Sequence, residues 1–478
     1  MRANLAVLTT LRELQAAERE ATDDERAVLA RWSGWGALPA VFDAQAAKYG
    51  QFAEARAELV GLLSPEEIDS AKRSTINAHY TDASYVQAIW DAAGALGFKG
   101  GQVLEPGCGS GTFIGLAPKG AEMLGVELES VTACIAQKLY PQAKVLSESF
   151  ADTRVAENTF DLVVGNVPFG DVVLHDPRHN PSGHRIHNHF IVKSLHLTRP
   201  GGLVAVITSR YTMDAANPAA RREMAGLADL VGAVRLPSGA HRAAAGTDVV
   251  TDVLLFRRRP DGEEPRGTLF EKSVATQLPG APAPLRVNEY FLQHPTNVLG
   301  VLHAGNGEGG RIEMEVHGER RAGPALEAAL GRITAMARGE GLTLSERSPD
   351  DGARQPLAIV GEATRQPDGY LALAGDAFTR IEGGHPTPYQ APSTQTQELR
   401  ALLGLRDTVV ALLEAEAGSV DDTSELVGLR QAVNERYDRY VAAFGFINRY
   451  TERRTGRIDK DTGEERLAHI QPAQGGFR

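Results

Sequence analysis

Apolar residues recur along the chain with two different periods, and the changes of period divide it into segments. From Leu5 to Leu29 the spacing is helical, with Leu11, Leu14, Val28 and Leu29 set among charges. Arg31-Trp32-Ser33-Gly34-Trp35-Gly36-Ala37-Leu38-Pro39 then breaks it. Two tryptophans around a glycine predict a compact loop tucked against another element; packing is their favoured role and ligand contact the alternative. A second helical stretch runs to about Ser70, with Ser64-Pro65-Glu66-Glu67 as a helix start. Between about Ala71 and Arg258 short apolar runs alternate with helical patterns. The runs at 102–105, 122–127, 144–146, 160–164, 203–208, 230–236 and 251–257 predict seven strands of a doubly wound, largely parallel sheet. The loop between the last two is too short for a full crossover helix, which predicts an antiparallel strand at that edge.

Arg257-Arg258-Arg259-Pro260 opens a stretch rich in Pro, Gly and charge, which reads as a linker over 259–287. Short alternating runs follow, such as Arg311-Ile312-Glu313-Met314-Glu315-Val316 and Tyr370-Leu371-Ala372-Leu373, and predict a small β-rich domain over 288–390 that could serve target recognition. Beyond Pro392 the period is helical again. Leu399, Leu402, Leu403, Val409, Val410 and Leu413 share one face, a second helix covers about 424–446, and the two pair most simply as a hairpin within 391–478. The expected organisation is thus α/β: a helical segment at 1–70, a sheet domain at 71–258, then the linker, the β-rich part and the helical tail.

Composition narrows the class. A chain of 478 residues exceeds one ordinary core, and 42% hydrophobic with 23% charged residues reads as soluble and globular. No run approaches the roughly 18 apolar residues of a membrane helix, and no signal pattern opens the chain, so the expected location is the cytoplasm with no membrane partner. Cys108 and Cys134 are too few for a disulfide framework or a structural zinc site and read as small core residues. A net charge of −11 argues against a wholly nucleic-acid-binding surface. The stretch from Asp171 to Pro260 is different, with 12 Lys and Arg against 7 Asp and Glu, and with His175, His179, His184, His187, His189, His196 and His241. Two readings stand for it: a solvated loop or a DNA-facing surface. Metal binding is disfavoured, because no carboxylate or cysteine falls at a supporting helical spacing.

The chemistry concentrates at the ends of the predicted strands. Leu104-Glu105-Pro106-Gly107-Cys108-Gly109-Ser110-Gly111 is a strand-to-helix glycine turn. Its Gly-x-Gly-x-Gly spacing differs from the dinucleotide fingerprint, and it lacks the Gly-Lys-Ser/Thr of a P-loop. Amides of a helix after Gly111 would favour an anion. Glu127 ends the next run, where an acid can accept both hydroxyls of a ribose. At the fourth strand Asn166-Val167-Pro168-Phe169 closes the run Phe160–Gly165. A ring-conjugated amino group is a poor nucleophile, so its hydrogens must be held. An Asn side-chain oxygen and a backbone carbonyl beside proline can accept them while an aromatic ring stacks on the base.

Taken together, His79-Tyr80-Thr81, the glycine turn, Gly125-Val126-Glu127, Asn166–Gly170 and the run from Gly201 to Ser209 resemble the N6-adenine DNA methyltransferases. With the Tyr-Thr element first, the order is that of their gamma group. Gly34-Trp35-Gly36, Asn166-Val167-Pro168-Phe169-Gly170 and Ile186-His187-Asn188-His189-Phe190 are similar to the methylase region of the methylase–helicase proteins of phages and plasmids. Leu236-Pro237 through Gly246-Thr247-Asp248-Val249 resembles the hairpin region of type I modification subunits. The resemblance covers about residues 25–260.

It implies a seven-stranded, Rossmann-like class I S-adenosylmethionine-dependent methyltransferase fold and site-specific, adenine-directed DNA methylation with S-adenosylmethionine as cofactor. DNA would be the partner, with a helicase or specificity protein beside it. Tyr80 and Thr81 would contact the methionine part, Glu105 its amino group, Gly107, Gly109 and Gly111 its backbone-contacting edge, and Glu127 the ribose. Asn166, Val167, Pro168 and Phe169 would be catalytic. Val167 stands where that family usually has its first proline. Ser149-Phe150 stands for the Asp-Phe that meets the cofactor adenine, so Phe150 would stack and Glu148 could replace the missing acid. A protein-glutamine or RNA adenine methyltransferase, or a non-catalytic binding module, are the alternatives.

Overall fold

In a computed structural model of the chain, the structure describes residues 1–36, 38–42, 52–75, 81–240, 249–267, 269–306, 312–319, 321–346, 366, 369–374, 377–382, 385–417, 422–447, 451–458 and 465–470. Two compact units form, residues 1–361 and 362–478.

The first unit opens with α1 (Arg2–Ala16), α2 (Asp23–Leu29), α3 (Ala53–Leu62) and α4 (Pro65–Ser74). The helical pattern up to Leu29 is therefore two helices. Thr22 starts the second, with Thr22 and Glu25 capping each other's backbone, and Ser64 and Glu67 do the same for α4. Leu8, Leu11 and Leu14 of α1 bury with Trp32, Trp35 and Phe42. Trp32 and Trp35 meet edge to face at 5.0 Å, and Trp35 meets Phe42 at 5.2 Å.

Seven strands then build one sheet: β1 (Gly101–Pro106), β2 (Ala121–Glu127), β3 (Lys144–Ser147), β4 (Phe160–Asn166), β5 (Thr198–Ser209), β6 (Ala228–Arg235) and β7 (Thr251–Arg258), in the order β3-β2-β1-β4-β5-β7-β6. β1 to β5 run parallel, and β7 lies antiparallel to both β5 and β6. The fold is the seven-stranded, Rossmann-like α/β arrangement expected. One expectation needs correction: the antiparallel strand is not at the edge. The chain passes β5 by one strand width to form β6 and returns through β7 into the gap, satisfying both ladders of β7. Central strands such as β4, Phe-Asp-Leu-Val-Val-Gly-Asn, are apolar on both faces because helices cover both sides.

Those covering helices are α5 (Ala83–Ala95), α6 (Thr112–Gly115), α7 (Ser130–Leu139), α8 (Ile186–Leu197), α9 (Tyr211–Asp214), α10 (Ala219–Leu227), α11 (Glu289–Gln293) and α12 (Gly323–Gly339). Leu326, Leu330 and Ile333 of α12 join Ile89 and Trp90 of α5 in one apolar cluster with β1, β4 and β5. The stretch read as a linker contains a hairpin of β8 (Ser273–Thr276) and β9 (Leu285–Asn288), and a second hairpin, β10 (Val301–Asn306) with β11 (Ile312–His317), follows. Both belong to the first unit.

An ion cluster holds that addition. Arg235, fully buried at the end of β6, reaches both oxygens of Asp252 at 2.8 Å and Asp214 at 2.9 Å, with its guanidinium 4.2 Å from the Phe291 ring. Asp214 also accepts the backbone amide of Asn288 at 2.8 Å. The second unit pairs β12 (Leu371–Ala374), β13 (Ala377–Glu382) and β14 (His385–Tyr389) in a sheet. It continues with α13 (Thr396–Ala417) and α14 (Ser424–Phe444), packed as the expected hairpin, and with β15 (Thr451–Ile458) and β16 (Glu465–Ile470). Tyr440 on α14 donates to Glu398 on α13 at 2.6 Å.

Replacing Arg235 by Met leaves Asp214 and Asp252 buried with only Arg210, 3.6 Å from Asp214, as a nearby cation. We expect a loss of about 3–5 kcal/mol in the unfolding of the first unit, read by tryptophan fluorescence in urea; a loss below about 1 kcal/mol would contradict this reading of the cluster.

Candidate active site

The strand order turns back between β1 and β4, and a cavity of about 450 Å³ opens there, at the carboxyl ends of β1, β2, β3 and β4. Gly107 and Gly109 form its rim with φ of 72° and 54°, in the left-handed region that glycine enters without strain. The amides of Gly107 and Cys108 both donate to Val126 O, at 2.8 and 2.9 Å, so the turn is pinned to β2. Gly111 (φ 87°) is needed for a different reason. A Cβ there would come within 2.8 Å of the Tyr140 ring, and Gly111 does not line the cavity. The helix after it, α6, has a single turn, so the anion-favouring helix terminus expected there is minimal.

Carboxylates dominate the walls: Glu105, Glu127, Glu129 and Glu148, against Arg73 as the one cation among the described lining residues. Burial, and then the charge of Glu127, push the Glu105 carboxyl well above its usual range. Its Oε2 is buried and meets no hydrogen-bond donor among the described residues. Burial likewise raises Glu127, to about 7, although Gly109 N donates to one of its oxygens at 2.9 Å and Glu129 N to the other at 2.8 Å. Glu127 thereby ties the tip of β2 to the glycine turn. Glu129 caps α7 through Val131 N and Thr132 N, and Thr132 Oγ1 accepts from Trp32 Nε1 at 3.1 Å. Trp35 lines the cavity next to that contact, and both tryptophans are buried, so the packing reading of the loop is the one the structure shows.

On the β4 side Asn166 lines the cavity and donates from Nδ2 to Thr81 Oγ1 at 3.2 Å, orienting its amide with the carbonyl on the opposite edge. Val167 N donates to Ile207 O at 3.0 Å. A proline at this position could not, so valine extends the β4–β5 ladder by one bond. Pro168 follows at the cavity, facing Gly107. Phe150 meets Phe190 with ring centroids 4.8 Å apart, and both line the cavity. Ser149 Oγ accepts the Ala151 amide at 3.2 Å, while Glu148 lines the wall beside it.

Of the residues singled out from sequence, Thr81, Glu105, Gly107, Gly109, Glu127, Phe150, Asn166, Val167 and Pro168 meet around this one cavity. Gly111 and Phe169 stand outside its lining, Phe169 being buried. Tyr80 lies outside the described residues, as do His241, Gly246, Thr247 and Asp248. Ser70, Arg73 and Ser74 of α4 line it too; nothing in their sequence pattern marks them. Phe190 sits in a motif noted above, where its spacing alone gave it no role.

Both readings of the histidine-rich segment need correction. While His175, Arg178, Arg185 and Arg222 of the segment are exposed, His179, His184, His187 and His189 are buried, so these four belong neither to a solvated loop nor to a surface. They carry internal hydrogen bonds, among them His184 to Glu223 at 2.7 Å, because the segment folds back onto α8 and α10. Burial, then Arg185, lowers His187 to about 4. Cys108 is buried and Cys134 partly so. No helix among the described residues is long and apolar enough to cross a membrane, and no group of three or more candidate metal ligands occurs among them.

No protein-family model matches the chain. A stretch of 191 residues, 39% of the chain, is 31% identical to the defense against restriction protein B of Escherichia phage P1, and it spans 8% of that protein. Among solved structures, a class I S-adenosylmethionine-dependent methyltransferase of Listeria monocytogenes aligns over 55% of this chain and 90% of its own, at 16% identity and a TM-score of 0.35. The modification subunit of a type I restriction enzyme of Vibrio vulnificus YJ016 aligns over 57% and 68%, at 16% identity and 0.33. The fold assignment rests on the sheet order. It is a doubly wound order with one antiparallel strand beside the edge, and the resemblance read from the sequence implies S-adenosylmethionine as the group bound at its switch point. The cavity fits such a group: four carboxylates suit a ligand with positive charge, buried Glu105 Oε2 awaits a donor, and the left-handed glycines leave backbone exposed to it.

The Glu127 carboxyl sets a pH dependence. Should Glu127 hold a ribose diol as an ionised carboxylate, as the sequence resemblance implies, its protonation below about pH 7 predicts that affinity for S-adenosylhomocysteine falls as pH drops. The limit is about tenfold per unit when only the ionised form binds. Calorimetric titration at pH 6, 7 and 8 measures this; equal affinities would remove Glu127 from the diol.

Proposed function

We propose that the protein is a methyltransferase that modifies N6 of adenine in DNA with S-adenosylmethionine. The observation that carries this reading is the meeting of Asn166 with Glu105, Gly107 and Glu127 around one cavity, with the Asn166 amide oriented by Thr81. In this reading Glu105 accepts the cofactor's amino group, Glu127 its ribose hydroxyls, and Glu148 with Phe150 holds its adenine. Bound there, the cofactor supplies a methyl group already activated on a sulfonium. What remains for the protein is orientation.

Asn166 Oδ1 and the backbone carbonyl of Val167 or Pro168 accept the two hydrogens of the amino group, which aims its lone pair and stabilises positive charge as it develops. Phe169 is the aromatic residue of the motif that stacks on the base in this reading. The target adenine leaves the duplex to reach such a pocket. The Val167 N–H bond to Ile207 O holds the Asn166–Val167 peptide in the β4–β5 ladder, which supports a fixed Asn166 in this reading. DNA is the proposed partner, joined by a helicase or specificity protein as in methylase–helicase proteins. The likeness to a phage protein named for defence against restriction supports protection of incoming DNA as the role.

Asn166→Ala should lower turnover by about 10²–10³-fold while S-adenosylhomocysteine affinity stays within a few-fold. Transfer of labelled methyl groups to plasmid DNA, RNA and protein tests the substrate. Label in DNA with N6-methyladenine in long-read sequencing is expected, and label confined to RNA or protein would overturn the assignment.

A further inference from the structure

Helix α8 carries the Ile186-His187-Asn188-His189-Phe190 motif, of which Ile186 and Phe190 line the cavity. His189 and Lys193 stand four residues apart on one face of that helix. Both reach one oxygen of Asp176, His189 Nε2 at 3.0 Å and Lys193 Nζ at 3.0 Å, and all three side chains are wholly buried. Lys193 has two further acceptors. Its ammonium donates to Phe150 O at 2.6 Å and to Ala151 O at 3.1 Å, and lies 5.0 Å from the centroid of the Phe150 ring. Its three protons thus go to three acceptors on two different loops.

Those loops are the two that face the cavity from this side. The 149–153 turn follows β3 and presents Phe150 to the cofactor side. The 171–185 loop follows Asn166–Gly170, presents Val172 and Leu174 to the cavity, and carries Asp176. This second loop is itself organised: Asn180 binds Leu174 O and His184 O, and His179 reaches back to Glu157. Burial lowers the pKa of Lys193 and Asp176 opposes it, while His179, His189 and Lys193 hold the Asp176 carboxyl far below its usual range against its own burial. A charge with no access to water is retained in a core only when fully paired. Here the pairing spans the base-facing and cofactor-facing loops.

We infer that Lys193, through Asp176, is a positioning residue that latches the Phe150 turn and the 171–185 loop onto α8, so that the cofactor adenine and the target base are held by one rigid piece. This rests on the proposed reading of the cavity. Phe150 then stacks on adenine only as well as Lys193 fixes its carbonyl.

The test is a double-mutant cycle in cofactor affinity. Lys193→Met keeps the stem and removes every donor, and should raise the dissociation constant of S-adenosylhomocysteine about tenfold, and the KM for S-adenosylmethionine with it, while kcat at saturating cofactor changes less. In a Phe150→Ala background the same substitution should add less than about twofold, because the ring through which it acts is gone. Should Lys193→Met alone fail to fold, Asp176→Asn/Lys193→Met removes both charges together and is put through the same cycle. Hydrogen exchange on the unsubstituted protein supplies an independent reading: protection at 149–153 and at 174–180 should rise together when S-adenosylhomocysteine binds. Unchanged affinity in the folded variant, additive losses with Phe150→Ala, or protection confined to 149–153 would each overturn the latch. Failure of the unsubstituted protein to bind S-adenosylhomocysteine would instead bring down the proposed function, and would show before any substitution is made.

Discussion

Parallel strands must be joined by crossovers that leave the sheet, and where the strand order turns back the crossovers on either side diverge. In this protein that divergence falls between β1 and β4. Everything chemical follows from it, since Glu105, the glycine turn, Glu127 and Asn166 all lie at strand ends around that gap. Carboxylates left there sit in low dielectric, where ionisation is unfavourable without a positive partner. Burial accordingly raises Glu105 and Glu127 above the ordinary carboxylate range.

A second principle runs through the first unit: charged groups that the fold buries are grouped. Arg235 with Asp214 and Asp252, Lys193 with Asp176 and His189, and Arg199 with Asp161 each join elements distant in sequence. Asp161 at 2.7 Å from Arg199 also accepts the Gln102 amide at 2.9 Å, so β1, β4 and the start of β5 share one carboxylate. Such clusters add less stability than apolar packing of equal volume would, but they allow few alternative arrangements. They fix where strand ends and loops lie, and that placement is what the cavity requires.

How much of this was legible depended on range. The strands and the glycine turn were readable because each is encoded within about ten residues by β-branched runs and by glycines at left-handed positions. Glu127 and Asn166 were readable because they end such runs. Gly111 was readable as a member of the turn, but its purpose, clearance for Tyr140, depends on a residue 29 positions further on. The insertion of β7 inside the edge was not legible, since strand order is set by which ladder remains open after β6 forms. Four of the histidines misled for the same reason: local polarity suggested a wet surface, whereas the loop folds back so that His179 meets Glu157, His184 meets Glu223 and His189 meets Asp176. Ser70, Arg73 and Ser74 of α4 carry no local mark, and only tertiary packing brings them to the wall.

The bond from Trp32 Nε1 to Thr132 Oγ1 has a consequence for what counts as the working unit. It fastens the leading helices to the helix that Glu129 caps, and so Trp35 and α4 complete an enclosure whose floor is made by β1 to β4. A Rossmann-like sheet alone would be an open tray. Gly34, Trp35, Ser70, Arg73 and Ser74 supply that side of the wall, so a chain that kept the strands but shed the leading helices would keep its carboxylates and surrender them to water.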